Sequence, residues 1–277
     1  MKSKLFSYNL LDTYIHRLSG LTKLLGFLLL TFTVMFSYDI RVVLGILIFS
    51  LIILKVSKIR FSQIKLMVYY VLGFITLNAI LTFLFSPEEG VAIYGTRHEI
   101  IQFTSRYTLT QEQVFYQATK LLKYISVIPL GIVFLLTTNP SEFAASLNRV
   151  GVNYKAAYAV SLTLRYFPDI QRDYRDISLA QQARGIEMSR KAKFMDRLKN
   201  ALLIIIPLIF STLDRIEVIS NAMDLRGFSK YKTRTWYRAK KMDRGDYLGI
   251  LVCSLIFVSS IIVSVFINKS RFYNPFI

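Results

Sequence analysis

Two arginines carry the residue pattern best suited to specific chemistry in this chain. Ser178-Leu179-Ala180-Gln181-Gln182-Ala183-Arg184-Gly185 and Ser220-Asn221-Ala222-Met223-Asp224-Leu225-Arg226-Gly227 share Ser, Ala, Arg and Gly at the same offsets, 42 residues apart. A guanidinium is planar, permanently charged and able to grip a carboxylate with two parallel hydrogen bonds. Gly after the last helical turn accepts the left-handed conformation that stops a helix. The carbonyls and dipole at such an end favour a cation. The chemistry on offer is binding, not bond making. Either motif alone reads as an ordinary Arg-Gly helix stop. In tandem, each closing a helix that is half apolar and half charged, they read as two plugs for two similar sockets, and so for a paired partner.

Other reactive residue types lead to plainer readings. Asp169, Asp173 and Asp176 alternate with Arg172 and Arg175, a spacing that makes a salt-bridged helix face rather than a metal cluster. Cys253 is the single cysteine and His16 and His98 are far apart, which excludes an internal disulfide and leaves no zinc or iron ligand set. No Gly-rich loop followed by Lys and Ser/Thr is present, so no cofactor and no nucleotide of its own is expected. The tract around Lys230, Arg234, Trp236, Arg238 and Lys241 has the basic-aromatic mix of a nucleic-acid binder. Placed just before an apolar run, it is expected instead to anchor at the membrane interface, with Trp236 and Tyr237 at headgroup level. Arg190, Lys191, Lys193 and Arg197 are expected to touch anionic lipid headgroups.

The elements that position these residues are set by composition. A formal net charge of +18 coexists with 53% hydrophobic residues, 21 Phe and 17 Tyr. A soluble basic protein would leave such apolar surface exposed, and a disordered chain would lack it. The chain is therefore expected to be an all-α, polytopic helical membrane protein with about five transmembrane helices, at residues 21–38, 40–54, 65–85, 114–138 and 247–267. Lys120 and Lys123 in the fourth would snorkel to the near interface. Lys and Arg are concentrated in the N-terminal tail (Lys2, Lys4, Arg17, Lys23), the second inter-span loop (Lys55, Lys58, Arg60, Lys65) and residues 139–246. Those parts are expected in the cytoplasm, with the N-terminus inside. The acidic segment 87–113, with Arg97 and Arg106 against Glu88, Glu89, Glu99 and Glu112, is expected outside, with strands at 91–94 and 99–103.

Three regions follow: an N-terminal membrane region (1–138), a cytoplasmic coupling domain (139–246) holding 20 of the 35 basic residues, and a last span with a short tail (247–277). Within the second, a short amphipathic helix is expected from Pro140 to Val150, opened by Asn139 and stopped by Gly151. A long helix should follow from Tyr154 to Arg184-Gly185, with a kink at Pro168 and with Ile170, Tyr174, Ile177 and Gln181 on one narrow stripe. Residues 201–213, apolar all round and interrupted by Pro207, are expected to be half-embedded or buried in protein rather than spanning. An amphipathic stretch to Arg226 would follow.

With these residues in place, the chain resembles the transmembrane T component of energy-coupling factor (ECF) transporters. The resemblance rests on Ala183-Arg184-Gly185 and Leu225-Arg226-Gly227, on Arg165-Tyr166-Phe167-Pro168, and on Thr138-Asn139-Pro140 with Glu142. Leu225 stands where a small residue is frequent. The resemblance implies a non-catalytic subunit in the cell membrane that links two ABC ATPase subunits, a heterodimer, to a small membrane-embedded S component that binds a vitamin or other micronutrient. The two X-Arg-Gly motifs would dock the ATPases, supported by Arg165, Pro168, Ser178, Ala180, Ser220 and Ala222 along the coupling helices. Two other classes compete. A conventional ABC permease would bind its own substrate among its spans, where ionisable residues other than Lys120 and Lys123 are sparse. A lipid-modifying membrane enzyme would cluster His, Asp or Glu at an interface.

Overall fold

The structure, a computed structural model, describes residues 13–59, 61–102, 107–186, 194–228, 230–231, 235–237 and 239–276. Lys2, Lys4, Arg60, Phe103, Arg106, Arg190, Lys191, Lys193, Arg234, Arg238 and the side chain of Arg197 fall outside the described residues. In chain order the helices are α1 (Tyr14–Arg17), α2 (Gly20–Phe36), α3 (Ile40–Val56), α4 (Phe61–Phe85), α5 (Glu89–Tyr94), α6 (Gln111–Thr137), α7 (Pro140–Arg149), α8 (Tyr154–Ala183), α9 (Phe194–Leu225) and α10 (Arg244–Ile262). α10 continues into a π-helical turn, Val263–Ile267. Strands β1 (Glu99–Gln102) and β2 (Thr108–Thr110) form one antiparallel pair before α6. The protein is an all-α polytopic membrane protein. Each expected span coincides with a helix. Met67–Phe85, Gln111–Thr137 and Arg244–Ile267 are long and apolar enough to cross a bilayer, while α2 and α3 have 17 residues each.

Two compact units divide the chain, residues 1–142 with 240–277, and residues 143–239. In the first, α2 and α3 pack on α6, and α10 packs on α2. Their starts are held locally: Ser19 caps α2, Asp39 caps α3, Thr110 caps α6, and Asp243 with Asp246 forms a capping box on α10. Leu30, Val34, Ile46, Leu130 and Cys253 make a common core. Because lipid tails are as apolar as these side chains, close packing and polar links hold such helices together.

The polar links are specific. Lys23 of α2 donates from Nζ to the carbonyl of Thr137 at the end of α6, 2.8 Å, and to His16 O, 3.1 Å. Lys123 of α6 donates to Met35 O at the end of α2, 3.1 Å, with its ammonium 3.2 Å from the Tyr38 ring centroid. Antiparallel α2 and α6 thus each lend a lysine to the other's last turn, where carbonyls lack helical partners and the dipole is negative. Lys123 is 6% exposed. Lys120 donates instead to Thr82 Oγ1, 2.6 Å.

Before α6, residues 91–94 are helical in α5 rather than a strand. The reason is contact with α6: a Cβ on Gly90 would stand 2.5 Å from backbone atoms of Glu112 and Gln113, so glycine alone lets α5 lie there. Gln113 fastens this approach by accepting from Gly90 N, 2.8 Å. The buried carboxylate of Glu112 accepts from Thr96 Oγ1 and from the backbone N of His98, with His98 Nδ1 at 2.6 Å. Tyr94 meets Phe115, Phe272 and Phe276 edge to face, and burial, with Tyr116 adding to it, pushes its phenol up to about 12.

The second unit is helical throughout its long elements. Asn139 opens α7 by accepting from Ser141 N, 3.0 Å, and Gly151 ends it at φ 110°. Asn153 opens α8 by accepting from Lys155 N. Residues 201–213 form the apolar middle of α9, which runs through Pro207 for 32 residues. Proline lacks the N–H that would bond the carbonyl four residues back, here Leu203. Gln181 Nε2 of α8 donates to that carbonyl across the helix pair, 3.2 Å.

Candidate functional site

The two Arg-Gly motifs adopt one and the same backbone structure. α8 ends at Ala183, with Arg184 at the cap and Gly185 at φ 89°. Gly185 N donates to Gln182 O, 2.9 Å, and Ile186 N donates to Gln181 O, 3.1 Å. α9 ends at Leu225, followed by Arg226 and by Gly227 at φ 63°. Gly227 N donates to Asp224 O, 2.9 Å, and Phe228 N donates to Met223 O, 3.0 Å. Each is a Schellman motif with arginine at the cap, glycine in the left-handed position and an apolar residue after it. Ala183, Arg184, Gly185, Leu225 and Arg226 are exposed and Gly227 is half-buried. Leu225 is 90% exposed.

Contacts step along α8 and α9 in opposite directions. Tyr158 meets Phe228 with ring centroids 4.7 Å apart, Asp173 Oδ2 accepts from Arg215 Nη2 at 2.7 Å, and Gln181 reaches Leu203. The helices are therefore antiparallel, and the structure separates the two motifs rather than gathering them. From Tyr158 to Arg184 the rise of about 1.5 Å per residue puts roughly 40 Å between the two ends. Two guanidinium tips at opposite ends of one rigid pair can engage two separate binding surfaces at once.

The flanking residues take distinct places. Ser178 Oγ accepts from Gln182 Nε2, 3.1 Å, within the last turns of α8. Ala180, Ser220 and Ala222 are exposed beside the motifs, and Arg165 and Pro168 are exposed mid-helix, roughly 24–29 Å before Arg184 at the helical rise. The carboxylate face divides: Asp169 pairs with Arg172 on its own helix, and Asp173 with Arg215 of α9. Among the described residues no group of three His, Cys, Asp or Glu is placed to hold a metal. A cavity of about 280 Å³ in the first unit is lined largely by apolar side chains, among them Leu18, Phe27, Leu30, Leu130 and Phe134.

Two residues take roles different from those expected of them. Its spacing puts Gln181 on the apolar stripe, yet its amide donates to the proline-freed carbonyl. Its signal is Pro207 itself, because the residue four positions earlier must find another donor. Trp236, expected at headgroup level, is half-buried. Its indole N donates to Asn148 Oδ1, 3.1 Å, and its ring lies 5.4 Å from that of Tyr154. Only Tyr237 of that pair is fully exposed.

Comparison with known proteins bears on this arrangement. The CbiQ family model, described as cobalt transport protein, matches residues 12–237. An energy-coupling factor transporter transmembrane protein of Streptococcus equi subsp. equi is 25% identical over 88% of this chain and 90% of its own. Its counterpart in Streptococcus thermophilus is 26% identical over 87% and 90%. A putative ABC transporter ATP-binding protein of Bifidobacterium longum is 29% identical over 90% of this chain and 31% of its own length.

Proposed function

Since the chain belongs to the CbiQ family of cobalt transport proteins and is a transmembrane component of the energy-coupling factor type, we propose that it passes the ATP-driven closure of two ATPase subunits to a separate substrate-binding membrane subunit. It does so through α8 and α9, for uptake of a vitamin or other micronutrient. The observation that carries this reading is the pair of identical Schellman ends, each presenting an arginine, at opposite ends of one antiparallel helix pair. Each end docks one ATPase, the pair being a heterodimer. Residues 183–185 and 225–227 make the contacts, and the helix segments with Arg165, Pro168, Ser178, Ala180, Ser220 and Ala222 stand behind them. A relative named as an ATP-binding protein, 31% of which matches this chain, supports ATPases as the partners.

Closure of the ATPases shifts the two ends relative to each other, and the rods rock the substrate-binding subunit as rigid bodies. Ile206, Ile209, Phe210 and Leu213 of α9 are exposed, and an apolar strip of this kind suits a hydrophobic partner. The chain itself is a non-catalytic, cofactor-free subunit. It lies in the cell membrane with its N-terminus and residues 139–246 in the cytoplasm. The apolar lining of the cavity in the first unit fits a coupling subunit better than a permease that binds a polar substrate of its own. Arg184→Ala and Arg226→Ala, each assayed in the intact transporter, are expected to abolish coupled uptake or ATPase assembly. Undiminished transport in both would refute the proposal.

A further inference from the structure

The two docking ends share a backbone but not a brace. Beyond Gly227, Phe228 turns back into an aromatic cluster, with its ring 4.7 Å from Tyr158 and 5.7 Å from Tyr154, the first residue of α8. Trp236 closes the cluster at 5.4 Å from Tyr154 and 6.3 Å from Tyr158. Its indole N–H is spent on Asn148 Oδ1, while Asn148 Nδ2 donates to Val152 O, 2.9 Å. Residue 228 follows Gly227 directly, so a fixed Phe228 ring fixes where the last turn of α9 points. The Arg184 end has a polar tie instead: Gln181, three residues earlier, hydrogen-bonds the carbonyl that Pro207 frees.

We propose that Trp236, with Tyr154 and Tyr158, is the positioning device of the Arg226 docking end, and that it acts on this end alone. The inference rests on the coupling reading above and goes beyond it by assigning each arginine its own brace. The cluster ties the tip of α9 to the root of α8, so load applied at Arg226 reaches the start of the other coupling helix without bending the loop between. Aromatic pairs of this geometry add to burial. Losing both Trp236 pairs lowers the ordered population of the Arg226 end by between about fivefold and about 150-fold.

The test has two arms. A nitroxide attached to Leu225→Cys or to Ala183→Cys reports local order in the purified full chain, Cys253 being buried. Trp236→Ala is expected to mobilise the label at 225 and leave that at 183 unchanged. Trp236→Phe, which keeps stacking and loses the Asn148 bond, should fall between. Equal mobilisation at both sites marks general loosening and overturns the proposal, as does no change at 225. Should Trp236→Ala fail to fold, Trp236→Phe carries the same comparison. In the second arm, retention of the ATPases on the tagged chain is measured for single and double variants. Trp236→Ala should be non-additive with Arg226→Ala and additive with Arg184→Ala, and the reverse pattern refutes the assignment. If neither arginine affects retention, the coupling reading fails, whereas the label result at 225 still stands or falls by itself.

Discussion

Substituting Gly185 or Gly227 isolates the backbone's share in the two docking ends. Both residues have left-handed backbones, φ 89° and 63°. A Cβ at Gly185 would meet no heavy atom within 4 Å, and one at Gly227 would meet Lys230 Cβ at 3.7 Å, an ordinary contact. Space is therefore not the obstacle at either site, and the cost of alanine is conformational. An L-residue other than Gly or Asn pays roughly 1–2 kcal/mol in this region, which is about a five- to thirtyfold fall in the capped population of the helix end. Asn visits the same region more readily and also carries a Cβ, so it separates the φ requirement from steric bulk. ATPase retention on the tagged chain, titrated with ATPase concentration, is the assay, with uptake in the reconstituted transporter as a second readout. Gly185→Ala and Gly227→Ala should each weaken retention within that range, and the Asn variants should recover much of it. Equal loss with Ala and Asn would refute the conformational reasoning, and full retention with Ala would show that the turn does not position the arginine.

Other perturbations test the frame that carries these ends. Gly90→Ala forces α5 away from α6, because the added Cβ lies 2.5 Å from backbone; a melting curve in detergent should show a loss of roughly 1–3 kcal/mol. The Asp173–Arg215 pair, with side chains 26% and 34% exposed, should contribute about 0.5–1 kcal/mol. Asp173→Arg and Arg215→Asp should each destabilise the helix pair, the double reversal should restore part of the loss, and a double-mutant cycle with no coupling would show the contact to be idle. Burial acts to raise the pKa of Asp39, but hydrogen bonds from Arg41 and Asn268 outweigh it and hold the carboxyl below its ordinary value. Its contribution is therefore complete above the unfolded value near about 3.9 and is lost as pH falls through the lower folded one. Thermal stability of the wild type should drop on acidification below about pH 4, and that of Asp39→Asn should drop less steeply.

How much of this was readable beforehand follows from the range over which each residue finds its partner. The spans, the opening at Asn139, and the Gly185 and Gly227 stops were legible because hydropathy and capping are settled within a turn or two of chain. The tandem Arg-Gly pattern was legible for the same reason, and the shared hydrogen-bond pattern at residues 181–186 and 223–228 adds its geometry. The partners of Lys123, Gln181, Trp236 and residues 91–94 were not. Lys123 is paired with Met35, Trp236 with Asn148 and Tyr154, Gln181 with Leu203, and Gly90 with Gln113. These partners lie on other elements, and no periodicity encodes them. Pro207 illustrates the boundary. That it frees the Leu203 carbonyl is a local fact, but that a glutamine from α8 donates to that carbonyl is decided by the pairing of the two helices. Composition and local stereochemistry thus specify which helices form and where they stop. Their antiparallel pairing places the two arginines at opposite ends, because a helix end's direction depends on what the next helix supplies to it.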